Sequence, residues 1–243
     1  MSGDGRTAVV VGASRGLGRG IAQALAASGR RVVTVSRTAP SDPVAGPGGG
    51  AAVTGDASDA ELAARVLGEH RPDELVIVAG AVPHVAALQD HTWETFSRHW
   101  HADVAIAFAW LRQTLLTPLP DGGRVVVVSS GAALRGSPLS GGYAGAKATQ
   151  RFLAAYAQEE ADRAGLGVRY VTLLPRLTPL TDVGRGAARA YAARTGVSED
   201  AYVASLGALV TPEGAGAAVL DLLRRPEPEP ALLLTGAGLA PVP

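Results

Sequence analysis

A chain of 243 residues with 22 Lys and Arg against 22 Asp and Glu has no net charge, which argues against nucleic acid or an anionic membrane as its partner. A composition 47% hydrophobic and 18% charged is too apolar for disorder and suits one α/β domain, expected to span 1–243. The absence of cysteine excludes disulfides and thiolate metal sites.

"MSGDGRTAVVVG" lacks the apolar stretch of a signal peptide, and no run approaches the roughly 18 apolar residues of a membrane span. The expectation is a cytoplasmic protein. "TAVVVG" (7–12) reads as a buried strand, followed by a helix over 16–29 in which Leu17, Ile21 and Leu25 recur every four residues. "RVVTVS" (31–36) is a second strand, 38–50 a Pro/Gly-rich loop and "AAVTG" (51–55) a third strand. "SDAE" (58–61) has the pattern of a capping box for a helix to about Leu67. "ELVIVAG" (74–80) is the fourth strand, one or two helices fill 91–116, and "RVVVVSS" (124–130) is the fifth strand. A long helix over 141–165, a strand over 168–174, a helix over 211–223 with Thr211 as cap and Pro212 at its first position, and a strand over 231–236 complete the pattern. Apolar strands alternating with helices predict a Rossmann-type doubly wound α/β fold, with about seven parallel strands and helices on both faces. The segment 176–208 is the least regular.

Gly12, Gly16 and Gly18 fall between the first strand and first helix, spaced GxxxGxG. Backbone there can approach a pyrophosphate closely, and a helix N-terminus offers free N–H groups and the positive end of its dipole. An NAD site places an acid at the end of the second strand, but here stand Ser36 and Arg37, with Arg15 nearby in the glycine turn. A hydroxyl and two guanidiniums suit a 2′-phosphate, hence NADP(H).

Tyr143 and Lys147 are one helical turn apart. A free phenol titrates near 10 and is a poor base at neutral pH. An ammonium about 4 Å away, at an effective dielectric near 20, supplies about 4 kcal/mol toward the phenolate. Together with the glycine turn, and with Ser130 thirteen residues before Tyr143, this pattern resembles the short-chain dehydrogenase/reductase superfamily over nearly the whole chain. The resemblance implies that Ser130 polarises a substrate carbonyl, Tyr143 donates a proton, and Lys147 tunes Tyr143 and holds the nicotinamide ribose. It also implies cofactor contacts from Gly12, Ser14, Arg15, Gly16, Leu17, Gly18, Ser36, Arg37, Asp56, Ala57, Ala79, Gly80, Tyr143, Lys147 and Pro175, and no metal. The expected activity is NADP(H)-dependent reduction of a ketone, on a small-molecule carbonyl or alcohol, by a homodimer or homotetramer built partly through the helices near 98–116 and 141–165. The alternatives are a lyase, epimerase or cyclase on the same fold, or a non-catalytic dinucleotide sensor.

Three departures from that family stand out. Its Asn-Asn-Ala-Gly is "IVAG" here (77–80), its relay asparagine is Asp103, and its Pro-Gly is Pro175-Arg176. Aspartate accepts hydrogen bonds only and would favour the ammonium of Lys147. Arg176 either narrows the nicotinamide approach or faces an acidic substrate. His99 and His101, two apart on a helix, point different ways and are expected on the surface. Trp93 and Trp100, seven apart, are expected to share one packed face that marks core or interface, His84 to lie in a loop near the cofactor edge, and 176–208, with Tyr191 and Tyr202, to cover the substrate.

Overall fold

The structure, a computed structural model, describes residues 5–39 and 42–243, so residues 40 and 41 of the loop expected over 38–50 lie outside it. The strands are β1 (Thr7–Val11), β2 (Arg31–Ser36), β3 (Gly50–Thr54), β4 (Glu74–Ile77), β5 (Arg124–Val128), β6 (Arg169–Pro175), β7 (Ala231–Thr235) and β8 (Gly238–Pro241). They form one sheet in the order β3-β2-β1-β4-β5-β6-β7-β8. The first seven are parallel, and β8 returns antiparallel along β7, pairing Thr235 with Gly238 and Leu232 with Pro241. Among the described residues the expected seven strands thus become eight. "GLAP" hides its strand character because proline and glycine are poor strand residues, but on an edge strand the N–H that Pro241 lacks has no partner to lose.

The central strands are buried on both faces, which is why their sequence is continuously apolar rather than alternating. Val9, Val11, Leu75 and Val127 point to one layer, against α2 (Ala60–His70), α4 (Ala105–Leu116) and α5 (Gly141–Arg163). Val10, Val76 and Val126 point to the other, against α1 (Gly16–Ala27) and α8 (Pro212–Arg224). At the amino ends of the strands, the Arg30 guanidinium donates to both oxygens of Glu74, at 2.6 and 2.9 Å, with both side chains almost fully buried.

Several boundaries differ from the sequence reading, each for a local reason. Asp59, not Ser58, caps α2 by accepting from the Glu61 N–H, while Ser58 donates to Asp56. β4 stops at Ile77 and β5 at Val128, so 78–80 and 129–130 are loop at the carboxyl edge of the sheet. The stretch 91–116 becomes α3 (Trp93–His99), a π turn (Trp100–Val104) and α4. The irregular segment 176–208 holds two helices, α6 (Asp182–Thr195) and α7 (Glu199–Ser205), each capped by a hydroxyl, Thr181 and Ser198. Only Gly184, Ala188 and Ala192 of α6 are buried, so no large-residue stripe announced it.

The strand order reverses between β1 and β4. Open sheets of this kind bind ligands in the crevice outside the carboxyl ends of their strands at such a reversal.

Candidate active site

A cleft of about 1470 Å³ opens at this crevice. Every residue named above for catalysis or cofactor contact lines it: the glycine turn, the ends of β2 and β3, the loops after β4, β5 and β6, and one face of α5. α6 and α7 form the far wall, where Tyr191 and Tyr202 stack at 6.0 Å. The Tyr191 hydroxyl is hydrogen-bonded to Ser137 across the cleft mouth.

The glycine turn has the shape a diphosphate needs. Gly12 adopts φ +93°, and a Cβ there would lie 2.6 Å from the Ala79 nitrogen, so a side chain would displace the neighbouring loop. The first turn of α1 contains no acid and no capping side chain, which leaves its N–H groups to the cleft. Arg37 and Arg15 both reach the cleft. Arg15 lies 3.8 Å from Asp182 of α6, an exposed pair that joins the turn to the far wall. The Ser36 hydroxyl donates to the Thr38 carbonyl at 2.8 Å. Asp56 accepts from the N–H and hydroxyl of Ser58, which hold its carboxyl below the ordinary range. These surroundings fit a phosphorylated dinucleotide.

Across the cleft, Ser130 follows β5 and opens a 3-10 turn, its oxygen accepting from the Ala132 N–H at 3.2 Å. Its hydroxyl proton has no acceptor among the described residues, so it is available to a ligand oxygen. Tyr143 and Lys147 share the inward face of α5, with the ammonium 5.5 Å from the centre of the phenol ring. Neighbouring Ser129 anchors this helix to β5 by donating to the Lys147 carbonyl at 2.7 Å.

Lys147 is the chain's only lysine; every other residue among the 22 Lys and Arg is arginine. It is also buried. Its Nζ lies 3.0 Å from Asp103 Oδ2 and donates to Gln150 Oε1 at 3.0 Å. Burial drives the ammonium toward deprotonation, but the Asp103 carboxylate, with a smaller coulombic contribution from Tyr143, more than offsets it and raises its pKa above the usual 10.5. Burial likewise pushes Asp103 up, yet Lys147, His99 and the Ala81 N–H together hold it at about 2 against an ordinary 3.8. A guanidinium, planar and larger, could not take this point-charge position.

The π turn explains how Asp103 reaches the site. Widening a helix turn releases carbonyls from the regular ladder, and Gln150 Nε2 donates to the Asp103 carbonyl at 2.9 Å. The carboxylate packs over Gly80, where a Cβ would lie 2.7 Å from Oδ2, and accepts from the Ala81 N–H at 2.8 Å. That bond anchors the loop after β4, where Ile77 has become a core residue and Val78 faces the cleft.

Some expectations fail. His99 is not on the surface: it is 2% exposed, its Nδ1 lies 3.1 Å from Asp103 Oδ1, and its ring meets Tyr143 edge-on at 5.1 Å. The i,i+4 spacing of His99 and Asp103 carried that signal, whereas pairing His99 with His101 did not. Gln150, three residues after Lys147, could have been read from spacing in the same way. Trp93 and Trp100 are both exposed and so are not core residues; the core tryptophan is Trp110, which donates to the Ala57 carbonyl at 2.9 Å. His84 does lie in the loop after β4, as expected, and packs edge-on against His91. Arg176 is exposed at the cleft, and its backbone N–H extends the β6–β7 pairing through Leu234.

The profile of the short chain dehydrogenase family matches residues 6–191. The L-xylulose reductases of Homo sapiens and Bos taurus are 38% identical over 102 residues and 36% identical over 138 residues, 41% and 54% of this chain. The chain spans about half the length of these curated relatives, 42% and 56%. A 3-oxoacyl (acyl-carrier-protein) reductase from Agrobacterium tumefaciens C58, solved with NADP bound, is 28% identical with a TM-score of 0.76, covering 97% of this chain and 95% of that one. A putative NAD(P) dependent gluconate 5-dehydrogenase from Beutenbergia cavernae, with bound NADP at low occupancy, is 30% identical with a TM-score of 0.74 over 90% of each chain.

Proposed function

We infer from one premise, that this chain belongs to the short chain dehydrogenase family, that it is an NADP(H)-dependent oxidoreductase that reduces a ketone to a secondary alcohol. One observation carries this reading: the sole lysine of an otherwise arginine-only chain is buried beside a tyrosine on the wall of a cleft whose floor is a glycine turn. NADP in both solved relatives supports the cofactor, as do Arg37 where an NAD site would carry an acid and Arg15 in the glycine turn.

When bound, the dinucleotide supplies the hydride. Ser130 donates its free O–H to the carbonyl oxygen and stabilises charge developing there. Tyr143 passes its phenolic proton to that oxygen. Lys147 keeps a positive charge against the phenol and would hold the nicotinamide ribose, while Asp103 keeps Lys147 cationic. α6 and α7 close the substrate side and exclude water. Phe108, Phe152 and Tyr156, all more than half exposed on α4 and α5, support a homodimer or homotetramer built through those helices.

A panel of carbonyl compounds followed by loss of NADPH absorbance, with NADH in parallel, tests the reading. Turnover with NADPH that falls by about 10²–10⁴-fold in Tyr143→Phe, with NADPH binding retained, is the expected result. Preference for NADH, or a Tyr143→Phe enzyme as fast as wild type, would refute it.

A further inference from the structure

His99 is a costly residue for its position. With Nδ1 only 3.1 Å from a carboxylate oxygen, that nitrogen carries the proton, since two lone pairs would repel. Nε2 is then a buried acceptor, and it has no partner among the described residues. A buried unpartnered nitrogen costs stability that a leucine or phenylalanine there would not. The compensation must come from what the imidazole touches, and both contacts belong to the site: the Asp103 carboxylate and the Tyr143 ring.

The groups around His99 form a closed set. Asp103 Oδ1 accepts from His99 Nδ1 and from the Ala81 N–H, leaving Oδ2 for Lys147. Gln150 joins the Lys147 ammonium to the Asp103 carbonyl. The charged and titratable groups facing this cluster are Asp103 on the helix that carries His99, and Tyr143 and Lys147 on α5. Without the His99 N–H the carboxylate keeps only the Ala81 N–H on Oδ1 and the Lys147 ammonium on Oδ2, and its last torsion, broad by nature, is less tightly fixed.

We propose that His99 is a positioning residue: its Nδ1–H fixes the orientation of the Asp103 carboxylate that holds Lys147, and its ring edge fixes the Tyr143 ring. This rests on the reading of Tyr143 and Lys147 given above, and it adds to that pair a buried His–Asp support one turn long.

The single lysine makes a direct test possible. Protein labelled with ¹⁵N-lysine gives one side-chain ammonium resonance, that of Lys147, whose pH titration needs no substrate. His99→Phe keeps a ring against Tyr143 and removes the donor; His99→Asn keeps an N–H donor near the place of Nδ1. In His99→Phe the Lys147 titration midpoint should fall, in the direction of Asp103→Asn, and kcat should drop about ten- to a hundred-fold, the loss of one charge-assisted bond, with NADPH affinity within roughly threefold. His99→Asn should restore the midpoint and bring kcat to within roughly threefold of wild type. A His99→Phe protein with wild-type midpoint and kcat overturns the proposal, and so does a His99→Asn protein whose midpoint moves as far as in Asp103→Asn. Should His99→Phe not fold, the His99→Asn comparison alone decides. A wild-type protein that reduces no carbonyl would sink the activity while leaving the lysine titration to judge His99.

Discussion

Replacing Asp103 by asparagine keeps its shape and removes its charge, leaving the Lys147 ammonium buried without a carboxylate. The two side chains are 1% and 6% exposed and lie 3.0 Å apart. At that distance and an effective dielectric of 20 their gross attraction is about 5.5 kcal/mol. Removing one partner of such a buried pair costs about 3–5 kcal/mol, because the remaining charge stays desolvated. A typical domain holds only about 5–15 kcal/mol in all. Urea unfolding followed by tryptophan fluorescence at pH 7 should therefore show Asp103→Asn less stable by about 3–5 kcal/mol.

The pH dependence gives a second, independent check. Asp103 is held at about 2 in the fold against an ordinary 3.8, so its charged form stabilises the protein above 3.8 and that stabilisation disappears as the pH falls toward 2. At about 1.4 kcal/mol per pH unit this amounts to about 2–3 kcal/mol. The asparagine variant has no such group, so the stability gap should narrow by about 2–3 kcal/mol between about pH 5 and pH 2. Lys147 acts at the other end of the scale: its raised value stabilises the fold below the usual 10.5, and this is lost as pH rises through the folded-state value. A gap below about 1 kcal/mol at pH 7, or one that does not change in acid, would refute the account of the pair.

Arg15→Ala and Arg37→Ala should each weaken NADPH binding about ten- to a hundred-fold and leave NADH binding unchanged, as read by nucleotide fluorescence titration. Glu74→Gln should cost about 3–5 kcal/mol in urea unfolding, because Arg30 stays buried beside it, with NADPH affinity unchanged, since the pair sits at the opposite end of the strands from the cleft. Gly12→Ala forces a Cβ to 2.6 Å from the Ala79 nitrogen at φ +93°, and NADPH binding should be lost in the same titration.

The architecture was legible in sequence because its signal is repetitive: continuous apolar strands, four-residue periodicity in α1, glycines at the first crossover. The placement of Ser130, Tyr143 and Lys147 on one cleft was legible for a similar reason, since strand ends and helix faces are simple functions of spacing. β8 and α6 were not, because proline, glycine and alanine carry no periodic large-residue pattern. His99 was missed for a different reason. The i,i+4 spacing that joins it to Asp103 stood in the sequence, but it was passed over for the pairing with His101. The π turn that carries Asp103, and the bond by which Gln150 on α5 donates to its carbonyl, were not legible, because they join residues far apart in the chain.

A chain with one amine-bearing side chain, enclosed by its own carboxylate and amide, also contains an internal reporter of its own breathing. Acylation needs the free amine, so reagents entering the cleft modify Lys147 only when the Asp103 and Gln150 contacts that hold the ammonium let go. The modification rate at that one position would then measure the free energy of loosening the reaction centre, apart from the fraying of loops elsewhere.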